Sequence, residues 1–306
     1  MINKKQHLLK YIYTFSLLCL CMVFHTGCAS KEDSPSMPSI FFIPQAEGGD
    51  TRADLIDSAE DINHFLVWGN YDGNVVFNGI QVSKEGNEWV YEPLQYWNMN
   101  ATQYEFYAYT TAQEGTTATM TNNQLSVSGI DSKNNPADLV MAYTPVTYEN
   151  FRKVVNMNFK HALAMVHFSF KLKEGFNYTH TYRVTSVKWN NVYTQGQFTI
   201  DRNNTITSQP SGSLGETLAI TTFTGSSFTT QSAMVSDDLL VNPQSSTTAQ
   251  LVFTLEVNGK AETVTKTVSI DWKPGTKYSY NVVIDPYEIT VVTTPWEKPN
   301  IQDIEF

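Results

Sequence analysis

The 306-residue sequence has only three cysteines. Two of them, Cys19 and Cys21, lie in an apolar N-terminal segment with the features of a removable export signal, so a processed chain keeps only Cys28. A single thiol cannot form an internal disulfide, which excludes a fold stabilised by disulfides. It also excludes a zinc site built from several cysteines.

Positive charge is also scarce. The chain has 20 lysines and arginines against 30 acidic residues, a net charge of -10. Removal of residues 1–27 takes away Lys4, Lys5 and Lys10 and no acid, leaving a net charge of -13. Such a chain is repelled by nucleic acid and by anionic membrane surfaces. Membrane attachment, if it occurs, therefore requires a lipid.

The chain lacks an apolar run long enough to span a bilayer. Tyr11–Phe24 is a run of fourteen that follows lysines, which predicts an export signal over residues 1–27. The run ends in Phe-His-Thr-Gly-Cys, which resembles a bacterial lipobox with acylation at Cys28, although His25 stands where an aliphatic residue is usual. A plain secretory signal is the alternative. Residues 28–38 are polar and predict a tether, and their Lys31-Glu32-Asp33 resembles a surface-export signal of Bacteroides-group lipoproteins.

Motifs of catalysis and metal binding are missing. There is no zinc-protease motif, no nucleophile elbow and no phosphate-binding loop. His161 and His167 are predicted on one strand face, about 20 Å apart, too far to share a metal. The acidic loop 131–138 fails the calcium-loop template because Lys133 occupies a ligand position. We therefore predict no enzyme activity, no metal and no cofactor.

Strand patterns fill the rest of the chain. Alternate apolar residues from Ala162 to Leu172 have the period of a strand, and Asn258-Gly259 between branched residues predicts a hairpin. Tyr104–Tyr109 is aromatic on both faces, which predicts a strand packed between layers. The fold class is therefore all-β, with two β-sandwiches in series and a boundary near Asn150.

One stretch near the start combines a strand with a cleavable linker. The apolar run Ile40, Phe41, Phe42 and Ile43 lies between Pro38 and Pro44 and predicts a short buried strand. Gly48-Gly49-Asp50-Thr51 then leads to Arg52, after which a trypsin-like protease could cut and detach the strand. The alternative is an ordinary first strand followed by a solvated loop.

Six segments together resemble the fimbrillin (Mfa-like) family of Bacteroides-group pilus lipoproteins. They span nearly the whole mature chain in the order of the family: Cys28, Thr51-Arg52-Ala53, Tyr104–Tyr109, Asp138–Tyr143, Phe159–Ala164 and Trp272–Tyr278.

The resemblance implies two tandem transthyretin-like β-sandwich domains after a lipoprotein signal peptide, over residues 39–150 and 151–306. It implies a lipid-anchored (palmitoylated) precursor on the outer-membrane surface. A trypsin-like or arginine-specific protease would cut between Arg52 and Ala53, in linker 46–53. The removable first strand, residues 39–45, would then be displaced.

The resemblance also implies that a C-terminal strand of a neighbouring subunit, residues 287–306, fills the groove. On that donor strand Tyr287, Ile289 and Val291 share one face. The partners are then other fimbrial subunits, in a pilus that mediates adhesion.

Two alternatives remain open: a tip or anchor subunit, and a surface lipoprotein that never polymerises and binds glycans through aromatic side chains. The candidates for a glycan platform are the sixteen tyrosines and the tryptophans Trp68, Trp89, Trp97, Trp189, Trp272 and Trp296.

Overall fold

The alternating apolar pattern produces an almost purely β structure. The structure, a computed structural model, describes residues 38–46, 56, 58–175 and 179–285, and the backbone of Ile289–Trp296. These residues form nineteen strands and one short 3-10 helix, Tyr148–Asn150. The strands are β1 (Phe42–Ala46), β2 (His64–Tyr71), β3 (Asn74–Glu85), β4 (Glu88–Val90), β5 (Gln103–Thr111), β6 (Thr117–Thr121), β7 (Gln124–Asp131), β8 (Leu139–Thr147), β9 (Val155–His161), β10 (Ala164–Leu172), β11 (Tyr182–Ile200), β12 (Ile206–Glu216), β13 (Phe223–Thr224), β14 (Met234–Ser236), β15 (Leu239–Val241), β16 (Ser245–Val257), β17 (Lys260–Asp271), β18 (Lys277–Ile284) and β19 (Ile289–Trp296). Within this described part, no helix is long and apolar enough to cross a membrane.

The turn chemistry of the sequence fixes the hairpins. Asn258 and Gly259 both adopt positive φ, 49° and 82°, and join β16 to β17 with Val257 opposite Lys260. Two consecutive positive φ values define a turn whose twist matches that of the flanking strands. The predicted hairpin is confirmed.

The strands form three sheets. The N-terminal sheet has the order β1-β9-β8-β5-β2-β3-β4. The bridging sheet has the order β17-β16-β11-β7-β6, with β12 also paired to β11, and the C-terminal sheet has the order β13-β14-β10-β18-β19, with β15 paired to β10. The predicted all-β class is confirmed.

Strand β5 is buried on both faces, as its aromatic sequence predicts. Tyr104 and Phe106 belong to the core of the N-terminal sheet. Tyr107 and Tyr109, on the opposite face, belong to a second core, the junction core, together with Phe198 of the bridging sheet. The N-terminal sheet therefore lies between two apolar layers.

The long strand β11 links the two halves of the molecule. Val187 and Trp189 lie in the core shared with the C-terminal sheet, whereas Phe198 and Ile200 lie in the junction core. Register shifts in the middle of β11 accompany the positive φ of Asn191 (57°). Such bulges let a strand bend while the same face remains buried.

Strand pairing crosses the boundary expected near Asn150. Strand β9 follows this residue in sequence but pairs with β1 and β8, and β7 precedes it but pairs with β11. The sheets of the described residues therefore do not divide there.

An ion pair between an exposed arginine and a buried glutamate reinforces the junction. Nη2 of Arg202, in the turn after β11, donates to Oε2 of Glu105 on β5 at 2.6 Å. The Glu105 side chain is only 9% exposed, and its other oxygen accepts from the Tyr143 hydroxyl at 3.2 Å. Burial and the nearby Glu105 charge raise the pKa of Tyr143 to about 12, so this hydroxyl remains a donor at neutral pH.

Candidate functional site

The predicted removable strand lies at the edge of the N-terminal sheet. β1 runs parallel to β9, from Phe42 opposite Val155 to Ala46 opposite Phe159. Side chains alternate at the start of β1 and in the two residues before it: Ile40 and Phe42 are buried, whereas Phe41 and Ile43 are 48% and 40% exposed. The expectation that the whole apolar run is buried is therefore wrong, because the outer face of this edge strand is not covered.

Pro44 does not end the strand, contrary to the sequence interpretation. It lies within β1, opposite Met157, and its side chain is buried. Proline has no N–H to donate, so it is tolerated in an edge strand at a position where the N–H would face away from the single neighbouring strand.

Phe42 fills an aromatic pocket in the N-terminal core. Its ring lies 5.2 Å from the rings of Phe77 and Phe106, 6.0 Å from Tyr91 and 6.3 Å from Phe65, measured between centroids. Three of these four contacts are edge-to-face, the geometry that aromatic quadrupoles favour. Loss of Phe42 therefore opens a large apolar cavity.

Hydrogen bonds to the main chain of Ile40 hold the residues before β1 in place. The Ile40 N–H donates to the Gln95 carbonyl at 2.9 Å, and the Tyr91 hydroxyl donates to the Ile40 carbonyl at 2.6 Å. Burial raises the pKa of Tyr91 to about 12, so the hydroxyl keeps its proton. The entry to β1 is thus anchored by a buried hydrogen bond.

Strand β9 depends on β1 for most of its ladder. Its pairing with β1 covers five residues, from Val155 to Phe159, whereas its pairing with β8 covers Lys160 and His161. Removal of β1 therefore exposes most of the backbone of β9 along one side, together with the pocket of Phe42.

Ile56 is the first residue after β1 that the structure describes. The Ile56 N–H donates to Oδ2 of Asp138 at 3.5 Å, and the same oxygen lies 2.7 Å from Nδ1 of His161. Cys28, Arg52 and Ala53 lie outside the described residues, so the lipid-attachment and cleavage predictions remain predictions.

The predicted donor strand pairs within its own chain. β19 forms the edge of the C-terminal sheet and runs antiparallel to β18, with Ile289 opposite Ile284 and Val291 opposite Val282. Tyr287 and residues 297–306 lie outside the described residues. The two strands proposed to exchange, β1 and β19, are thus both edge strands.

The two histidines expected on one strand face lie on separate strands. His161 ends β9 and contacts Asp138, whereas His167 lies on β10. No group of three potential ligands suited to a metal occurs in the part of the chain that the structure describes.

His167 lies in a polar cluster that no sequence motif indicates. Its Nδ1 is 3.2 Å from Oδ1 of Asp238, and its Nε2 is 2.8 Å from Oγ of Ser279. The three residues come from different strands and loops, so no local sequence motif could reveal them.

The fold is that of solved fimbrial and cell-adhesion proteins. A fimbrial protein from Bacteroides vulgatus matches with a TM-score of 0.58 and 15% identity, over 84% of this chain and 98% of that chain. A putative cell adhesion protein from Bacteroides uniformis matches with a TM-score of 0.53 and 16% identity, over 84% and 97%. A putative cell adhesion protein from Bacteroides ovatus matches with a TM-score of 0.52 and 15% identity, over 87% of this chain and 100% of that chain.

The sequence itself assigns the family. The profile of the fimbrillin-like family matches residues 51–296, and the chain belongs to this family. Membership places it among the fimbrial and adhesive proteins of the cell surface, as the sequence resemblance predicted. None of the curated proteins matches the chain.

Proposed function

We propose that this protein is a structural fimbrial subunit, exported as a lipoprotein precursor and assembled by strand exchange. In this proposal Cys28 carries the lipid in the outer membrane, and a trypsin-like or arginine-specific protease cuts between Arg52 and Ala53. The cut releases β1, and residues 287–306 of a neighbouring subunit take its place. The role requires no catalysis and no cofactor.

The edge position of β1 is the observation that carries the proposal. An edge strand can leave without breaking a second ladder, and β1 is bonded to β9 alone among the described strands. The vacated site offers unpaired β9 backbone and two apolar pockets, those of Ile40 and Phe42. Filling each pocket stabilises the site by roughly 1.5–3 kcal/mol, so a replacement strand with alternating apolar residues is favoured.

The donor face has a matching period. Tyr287, Ile289 and Val291 alternate with the same spacing of two residues as Ile40 and Phe42. Because β19 lies at a sheet edge, it also leaves its own sheet by breaking a single ladder, the one with β18.

The glycan-binding alternative is less favoured. Trp68, Trp97, Trp189 and Trp272 are all buried in the three cores. A sugar platform needs exposed aromatic faces, and among the described residues these rings serve core packing instead.

The test compares two arginines in cells that assemble the wild-type protein. Arg52→Ala is expected to accumulate as folded precursor and form no heat-resistant ladders on denaturing gels. The matched control is Arg152→Gln, which alters an exposed arginine of the turn before β9 and is expected to assemble normally. Heat-resistant ladders from the Arg52→Ala variant would refute assembly gated by cleavage at Arg52.

A further inference from the structure

A serine, a histidine and an aspartate contact one another in that order at the outer face of the C-terminal sheet. His167 on β10 stands directly opposite Ser279 on the parallel strand β18. Asp238, in the turn between β14 and β15, reaches the far side of the imidazole. We propose that Ser279 is an activated nucleophile that accepts the acyl group of a small apolar ester, with His167 as general base and Asp238 as its orienting carboxylate.

The distances match the roles. The Asp238 carboxylate, 3.2 Å from Nδ1 of His167, favours the tautomer with its proton on Nδ1. Nε2 is then a proton acceptor, 2.8 Å from the Ser279 hydroxyl. A nucleophile within hydrogen-bond reach of a base that a third group orients is the arrangement that activates serine on unrelated folds.

The aspartate is charged at neutral pH. Burial raises its pKa, but the hydrogen bond from His167 and the nearby charge of Lys277 outweigh burial, and the net pKa of Asp238 lies below its ordinary value. Nζ of Lys277 is 3.2 Å from Oδ2 of Asp238. Lys277 precedes Ser279 by two residues on the same face of β18, and its ion pair helps to hold the charged Asp238 carboxylate beside the imidazole.

An apolar cavity adjoins the cluster. It has a volume of about 200 Å³, and its lining includes Asp238, Met165, Leu218 and Leu240. Met165 precedes His167 by two residues on the same face of β10. The cavity meets the cluster at Asp238, and in this proposal it takes the acyl chain of a short aliphatic ester.

The reaction balances without a cofactor. The Ser279 oxygen bonds to the ester carbonyl carbon while its proton passes to Nε2 of His167. The carbon–oxygen bond to the alcohol breaks, and the alcohol leaves with that proton. Water then hydrolyses the acyl-serine through the same base, releasing the acid and restoring the hydroxyl.

A fluorophosphonate probe tests the proposal on the full chain. The serine oxygen displaces fluoride from phosphorus, and peptide mass spectrometry identifies the labelled residue. We expect stoichiometric labelling at Ser279 in folded protein and none after heat denaturation. In parallel, p-nitrophenyl butyrate is expected to release p-nitrophenol, and acid quenching during turnover is expected to trap the acyl-serine at Ser279.

Three variants give the controls. Ser279→Ala is expected to abolish labelling, and His167→Gln to slow it by about 100-fold or more, the contribution of a general base. Ser169→Ala alters a half-buried serine two residues beyond His167 on the same face of β10 and is expected to label at the wild-type rate. Wild-type protein that stays unlabelled, or that labels at many exposed serines, would overturn the proposal whatever the variants do. The result is independent of fimbrial assembly.

Discussion

The ring of Phe42 meets the ring of Phe106 edge-on, with centroids 5.2 Å apart and planes at 83°. This contact links β1, the strand proposed to be removed, with β5, which lies in the middle of the same sheet. β1 is therefore at once an edge strand in its hydrogen bonding and a core element in its side-chain packing. A strand of this kind can be released, but it leaves a defect that another strand must fill.

Phe42→Ala and Phe41→Ala separate these two properties. Phe42 is 1% exposed and Phe41 48% exposed, although they are neighbours on the same segment. Phe42→Ala is expected to lower the free energy of unfolding by about 3–5 kcal/mol, and Phe41→Ala to change it by less than about 1 kcal/mol. Urea unfolding curves of the full chain measure both values. Equal losses would show that the pocket does not hold Phe42 as described.

Arg202→Gln tests the ion pair at the junction. The substitution leaves the Glu105 carboxylate buried without its cation, and we expect a loss of roughly 1–3 kcal/mol in the free energy of unfolding. Arg152→Gln serves as the exposed control. Adding Glu105→Gln to Arg202→Gln removes the buried charge, so the double variant is expected to be more stable than Arg202→Gln alone. If the losses of the two substitutions simply add, so that the double variant is less stable than Arg202→Gln, coupling between Glu105 and Arg202 is ruled out.

The lowered pKa of Asp238 predicts a pH dependence. Since the folded-state pKa is below the ordinary value of 3.8 for an aspartate, the ionised carboxylate stabilises the fold above that pH. The stabilisation is lost as pH falls through the folded-state pKa, where both states become protonated. Wild-type protein is therefore expected to be more stable than Asp238→Asn at pH 7, with the difference shrinking below pH 3.8. Thermal unfolding from pH 7 to pH 2 measures it, and a difference that grows in acid would reverse the assignment.

Local patterns in the sequence predicted the elements whose signals are local. The alternation predicted from Ala162 to Leu172 corresponds to β10 from Ala164 onward, with alternate residues buried. Asn258-Gly259 became the predicted hairpin because its positive φ values are a property of two adjacent residues.

Long-range pairing accounts for what the sequence could not predict. Ser279 and His167 are 112 residues apart and meet only because β10 and β18 pair in parallel. The exposure of Phe41 and Ile43 follows from the edge position of β1, and a run of four apolar residues does not reveal which face a neighbouring layer covers. The crossing of strands past Asn150 likewise depends on partners distant in sequence.

Hydrogen–deuterium exchange of β9 tests strand exchange most directly. The full chain is cut with an arginine-specific protease, and exchange of the Val155–Phe159 amides is followed with and without a synthetic peptide of residues 287–306. The matched control peptide replaces Tyr287, Ile289 and Val291 with serine. The account predicts that the donor peptide, unlike its control, displaces the fragment that carries Ile40–Ile43 and protects the β9 amides. Retention of that fragment in the presence of the donor peptide, with β9 protection unchanged, would contradict it.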